Sequence, residues 1–142
     1  MISQMFNTVA GKVIAIYGFA FKADTGDTRE SPAICISRQL VEERAEVVIS
    51  DPQALENAEH DLSDIMDRIR LEKDPYEAAR GAHAVAVLTE WDLYAELDFE
   101  RVFEVMMKPA FIFDGRNCLD HKKLFDIGFN VFAVGKAALS HL

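Results

Sequence analysis

Short continuous apolar runs along the chain alternate with stretches whose apolar residues recur at helical spacing. Val13-Ile14-Ala15-Ile16-Tyr17, Val47-Val48-Ile49, Ala82 to Leu88, Ala110 to Phe113 and Asn130 to Val134 are runs of this first kind. Their length and branched or aromatic content predict buried strands, with a further short strand near 69–72. Between them, Ser31 as N-cap and Pro32 at the first position predict a helix over 31–44. Leu62, Ile65, Met66 and Ile69 have i, i+3, i+4, i+7 spacing, which predicts an amphipathic helix over 60–68. Asp74-Pro75-Tyr76-Glu77 is a capping signature, and Gly81 closes the short helix it starts. Further helices are expected over 91–96, over 99–107 before Pro109, and from about Asp120 to Ile127 before Gly128.

Buried strands joined by helices imply a mostly parallel sheet covered on both faces. The expectation is one α/β domain, a Rossmann-like, doubly wound sheet of about six strands in the order 3-2-1-4-5-6. The first nine residues stand apart. Ile2, Met5, Phe6 and Val9 share one helical stripe with no N-cap before them, as if the chain opened inside a longer helix. Such a stripe, left without its upstream half, is exposed and invites self-association.

Length and charge narrow the class. A chain of 142 residues fits one domain, and its 50% apolar content supports an ordinary core. A net charge of -9 argues against a nucleic-acid or anionic-membrane surface. No apolar run approaches the roughly 20 residues of a membrane helix, and the N-terminus lacks signal-peptide features. The two cysteines, Cys35 and Cys118, read as buried or incidental thiols, and the four histidines are scattered without metal-ligand spacing. These features fit a reduced, cytoplasmic domain with no metal and no membrane or nucleic-acid partner.

The candidate chemistry gathers where strands end. After the first strand come Gly18-Phe19-Ala20-Phe21-Lys22 and then Thr25-Gly26-Asp27-Thr28-Arg29-Glu30-Ser31-Pro32. Ligands of open α/β sheets bind at that edge. Lys22 offers a mobile point charge and Arg29 a planar fork, both suited to phosphate or carboxylate. A salt bridge from Arg29 to Asp24, Asp27 or Glu30 is the structural alternative. Phe21 can pack on a base or enter the core. The strand 82–88 runs into Thr89-Glu90-Trp91-Asp92, where Thr89 can cap the next helix and Trp91 can fill the core. Arg116 follows Asp114-Gly115 beyond another strand, placed for a carboxylate, phosphate or hydroxyl, with an ion pair to Asp114 or Asp120 as its alternative. A GxGxxG turn is missing: only Gly18 is present, followed by bulky Phe19 and Phe21, so this turn is not a standard NAD site. Asp51, ending the second strand, is read as a turn former with Pro52 and not as a ribose-binding acid.

These segments together resemble a family. Gly18-Phe19-Ala20-Phe21-Lys22 with the Thr25–Ser31 loop, Asp74-Pro75-Tyr76-Glu77-Ala78, Gly81-Ala82-His83-Ala84-Val85, Thr89-Glu90-Trp91-Asp92 and Pro109 to Arg116 are similar, in order, to the C-terminal UDP-sugar-binding domain of the UDP-glucose 6-dehydrogenases, nearest the animal-type wording. The resemblance implies an enzyme that converts UDP-glucose, two NAD and water to UDP-glucuronate and two NADH. It implies residues 1–10 as the end of a central inter-domain helix and 11–142 as the UDP-sugar domain. By the same resemblance Phe21, Lys22 and Arg116 contact the sugar nucleotide, and Arg29 reaches the NAD held mainly by an absent N-terminal domain. Partners would be that domain and the other subunits of a homo-oligomer. The family's catalytic cysteine, lysine and aspartate lie upstream, so no residue here is assigned a catalytic role and this chain alone is expected to be inactive. Alternatives are a domain of a GDP-mannose or UDP-N-acetylhexosamine dehydrogenase, or a stand-alone nucleotide-binding or assembly module.

Overall fold

The computed structural model describes residues 1–142. Its strands are β1 (Val13–Tyr17), β2 (Glu46–Ser50), β3 (Ile69–Leu71), β4 (Ala84–Val87), β5 (Phe111–Asp114) and β6 (Asn130–Ala133). All five pairings are parallel, and the order β3-β2-β1-β4-β5-β6 is the expected one. The helices are α1 (Pro32–Glu42), α2 (Leu55–Asp61), α3 (Pro75–Ala79), α4 (Asp92–Ala95), α5 (Phe99–Val105) and α6 (His121–Ile127). No helix is long and apolar enough to cross a membrane.

Alternation along the strands divides the core into two layers. Ile14, Ile16, Val47, Ile49, Ala84, Ala86 and Phe111 pack with Ala33 and Leu40 of α1 and Ala58 of α2. Ala15, Tyr17, Val48, Val85, Val87, Ile112 and Val131 face the other way, onto α3, α4, α5 and α6. Tyr17 and Tyr94 stack there at 5.1 Å, and their hydroxyls donate to Pro75 O and Ser50 O. Both hydroxyls are thus satisfied in a buried setting, which raises the pKa of each by desolvation.

Two expected helices take other forms. Residues 60–68 are not one helix: α2 ends at Asp61, and a 3-10 stretch, Ser63–Arg68, follows. Arg38 on α1 explains the break, because its Nη2 donates to Asp61 O and its guanidinium pairs with Asp64 at 2.8 Å. Leu55, Ala58 and Leu62 supply the helical spacing one turn earlier than expected. The N-terminal stripe is likewise not a helix but a single 3-10 turn, Ile2–Met5, ended by Phe6 and Asn7 at φ 62°. Lys12 Nζ donates to Met5 O and Thr8 O at 2.6 and 2.8 Å, folding the segment onto the domain. Met5 and Val9 are therefore buried in the first core layer, and of the four stripe residues Phe6 is the exposed one.

Candidate functional site

The strand order brings the ends of β1, β2, β4 and β5 together, and the loop leaving β1 is pinned by all of its neighbours. Gly18 takes φ 97°, and a Cβ there would stand 2.4 Å from Thr89 Cβ, so only glycine lets the chain pass this close to the end of β4. Phe19 N and Ala20 N donate to Asp51 Oδ2 at 2.8 and 3.1 Å. The other oxygen of Asp51 accepts from Gln53 N and Ala54 N, both at 2.8 Å. Trp91 Nε1 adds a contact at 3.3 Å, and Asp51 is 1% exposed. On the carbonyl side, Ser31 Oγ donates to Phe19 O at 2.7 Å and Thr89 Oγ1 to Ala20 O at 2.6 Å. All four backbone polar groups of Phe19 and Ala20 thus have side-chain partners, supplied by Asp51, Ser31 and Thr89 from three separate parts of the chain.

The next residues carry the cations. Phe21 N donates to Asp27 O at 3.0 Å, and Arg116 Nη2 donates to Phe21 O at 2.9 Å. That single bond, spanning 95 positions of sequence, puts Arg116 beside the Phe21–Lys22 peptide. Lys22 Nζ lies 5.4 Å from the Phe21 ring centroid and makes no ion pair. Arg29 pairs with Asp27 at 2.6 Å, with Nε also donating to the same carboxylate, and its side chain is 88% exposed. Hydrogen bonds from Arg29, with the charges of Arg29 and Lys22 nearby, lower the Asp27 carboxyl to about 2. Lys22, Arg29 and Arg116 accordingly share one rim.

Asp114 shapes the turn that delivers Arg116. Its buried carboxylate accepts from Arg116 N, Leu119 N and His121 Nε2, the last at 2.7 Å. Burial pushes this carboxyl upward, but those bonds together hold it below the ordinary carboxylate range.

A sequence profile described as the UDP-glucose/GDP-mannose dehydrogenase family, UDP binding domain, matches residues 15–121, the stretch that builds this rim. The chain belongs to that family. It is 50% identical to a UDP-glucose 6-dehydrogenase of Bos taurus, over 99% of this chain and 31% of that protein. It is 48% identical to UDP-glucose 6-dehydrogenase 1 of Arabidopsis thaliana, over 96% of this chain and 32% of that protein. The chain therefore spans about a third of the length of the curated relatives it matches. A UDP-glucose dehydrogenase of Pyrobaculum islandicum superposes with a TM-score of 0.71 at 26% identity, covering 90% of this chain and 28% of that one. An NDP-N-acetyl-D-galactosaminuronic acid dehydrogenase of Methanosarcina mazei shares the fold, with a TM-score of 0.77 at 22% identity, covering 95% of this chain and 27% of that one.

Within this UDP-binding domain several sequence expectations need correction. Thr89 does not cap α4: the N-cap position is Trp91, without a side-chain cap, and the Thr89 hydroxyl is spent on Ala20 O. Arg116 pairs with neither the Asp114 nor the Asp120 carboxylate; its partner is Glu90, Nε to Oε2 at 2.7 Å. The strand register is the signal for it, since Val87 pairs with Asp114 and the two chains leave the sheet side by side. Asp51 forms the turn expected of it, yet its second oxygen clamps the β1 loop, which sequence reading missed. Trp91 is core, 7% exposed. Cys35 is exposed, not buried, while desolvation raises the half-buried Cys118 thiol to about 11.

The residues after β1 do not fit a dinucleotide. The turn lacks the glycines of a dinucleotide fingerprint, with Phe19 and Ala20 fully buried in it, and the acid ending β2 is engaged on both oxygens by backbone N–H groups. What remains open to an anionic ligand is the cationic rim itself.

Proposed function

We propose that this domain binds the sugar nucleotide for a UDP-glucose 6-dehydrogenase, the enzyme converting UDP-glucose, two NAD and water to UDP-glucuronate and two NADH. The supporting observation is the hydrogen bond from Arg116 Nη2 to Phe21 O, which joins two turns at one edge. Lys22 supplies a point charge and Arg116 a planar donor set, a combination matched to a diphosphate carrying about two negative charges. Phe21, partly exposed beside them, offers a ring face to the ligand. Because the backbone groups of Phe19, Ala20 and Phe21 are all paired, the side chains they lead to need little reorganisation to bind, and their contribution is positioning and electrostatic stabilisation. Arg29, 88% exposed and paired only with Asp27, serves a cofactor anion held by another domain, exchanging Asp27 for it.

No nucleophile accompanies the rim, so the domain supplies half a site and does not turn over alone. Cys118 is protonated near neutral pH, and Cys35 lies on α1 outside the rim contacts described. Residues 1–10 are the junction to the rest of a longer enzyme and 11–142 the sugar-nucleotide domain, in a cytoplasmic homo-oligomer. The relatives of 45–51% identity, all UDP-glucose 6-dehydrogenases, favour UDP-glucose over GDP-mannose or a UDP-N-acetylhexosamine. Titrating the chain with UDP-glucose, followed by two-dimensional amide NMR, tests this reading: saturable shifts confined to the rim are expected. Equal or larger shifts with GDP-mannose would transfer the assignment to that substrate.

A further inference from the structure

Glu90 is an acid on the rim that carries Lys22, Arg29 and Arg116, and it pairs with the last of these. Its backbone is held on both sides, by the buried Thr89 bound to Ala20 O and by the buried Trp91 bound to Asp51. The side chain is 41% exposed and reaches Arg116 Nε at 2.7 Å. Coulomb's law alone makes such a carboxylate a liability for a diphosphate ligand in a chain already at -9.

The donor arrangement of Arg116 gives the acid a purpose. A guanidinium carries five N–H groups in a rigid plane. Here Nε faces Glu90, and one Nη2 N–H goes to Phe21 O. Two contacts at different corners fix the plane. The Nη1 group has no partner in the fold, so part of the guanidinium's donor set stays available to an oxyanion. Without Glu90 only the Phe21 carbonyl restrains the guanidinium, and the long side chain regains its rotamers.

We propose that Glu90 is a positioning residue for the sugar-nucleotide diphosphate, acting through Arg116 by fixing its guanidinium with Nη1 left free. The proposal rests on the UDP-sugar reading of the rim. It also opposes simple electrostatics in sign. Charge repulsion alone predicts that Glu90→Gln tightens binding; positioning predicts that it weakens binding.

The test is NMR titration of the 142-residue chain with UDP, comparing wild type, Glu90→Gln, Arg116→Gln and the double variant. Uridine and inorganic phosphate serve as separate probes of base and anion. Glu90→Gln is expected to weaken UDP about tenfold and to have no further effect in the Arg116→Gln background, while uridine shifts stay unchanged. A merely structural role would instead lower affinity equally in both backgrounds, and that result overturns the proposal. So does unchanged or tighter UDP binding by Glu90→Gln when wild type binds at the rim. Absence of rim shifts with UDP in wild type would remove the UDP-sugar reading and this inference together, which distinguishes the two failures.

Discussion

The connection from β1 to α1 has two halves built on opposite terms. Residues 18–20 are buried; Gly18 N donates to Ser50 O, and both backbone groups of Phe19 and of Ala20 are taken up by Ser31, Asp51 and Thr89. Residues 22–30 lie further out, apart from the buried Thr28; two bonds tie them to α2, Asn57 Nδ2 to Gly26 O and Thr28 Oγ1 to Asp61, and the Arg29 side chain is held only locally, by Asp27. A buried polar network with every member satisfied is stiff, because losing any bond leaves an unpaired group away from water. An exposed ion pair contributes little to stability and exchanges readily. The first half therefore sets where Phe21 and Lys22 begin, and the second leaves Arg29 free to change partner.

Removing the centre of the stiff half is the most severe way to break this contrast. Asp51→Ala leaves four backbone donors without this acceptor, three of them buried, and is expected to cost about 3 kcal/mol or more in denaturant unfolding. Asp51→Asn, which keeps one acceptor oxygen, falls between that variant and wild type. Next comes Gly18→Ala, where positive φ and the Thr89 clash combine, expected at roughly 2 kcal/mol or more. Gly135→Ala, also at positive φ but with no atom within 4 Å of the added Cβ, isolates the conformational part at about 1 kcal/mol. Comparable losses at the two glycines would show that the close passage beside Thr89 adds nothing.

Substitutions at the rim sharpen the contrast by acting on ligand and not on fold. Lys22→Ala is expected to weaken UDP-glucose binding about tenfold with an unchanged melting temperature, since it makes no ion pair. A lowered melting temperature would place Lys22 in the structural half. Acid sensitivity belongs instead to Asp114. As pH falls, the unfolded chain takes up this proton first, near the ordinary carboxylate value of about 4. Stability that is complete above that value is then lost as pH drops through the lower folded one. Asp114→Asn should flatten the acid limb of a melting-temperature profile; an unaltered limb would contradict the role given to its hydrogen bonds. Smallest of all, Asp27→Ala should change the melting temperature little, because the partner it releases, Arg29, is 88% exposed.

What could be read in advance follows the same division. Buried parallel strands announce themselves as continuous apolar runs, so β1, β2, β4, β5 and β6 and their order were legible from Val13–Tyr17, Val47–Ile49 and their counterparts. The forms of residues 1–9 and 63–68 were not, because i, i+3 apolar spacing suits a 3-10 turn as well as an α-helix. What decides between them is remote: Lys12 folding back on Met5 O, and Arg38 taking Asp61 O. Rim cations could be suspected from their place after strands. Their restraints could not, since Asp51, Thr89 and Glu90 reach their partners only once the sheet has assembled.

The proposed function requires Phe21, Lys22 and Arg116 to act as one ligand-binding edge. UDP-glucose titrated into isotopically labelled chain, with every amide shift followed, tests this most directly. The expected result is a saturable set of shifts at 18–22, 89–91 and 114–117, lost in Arg116→Ala. Shifts centred on the opposite edge of the sheet, around Arg68, Arg70 and Arg80, with the rim silent, would contradict it.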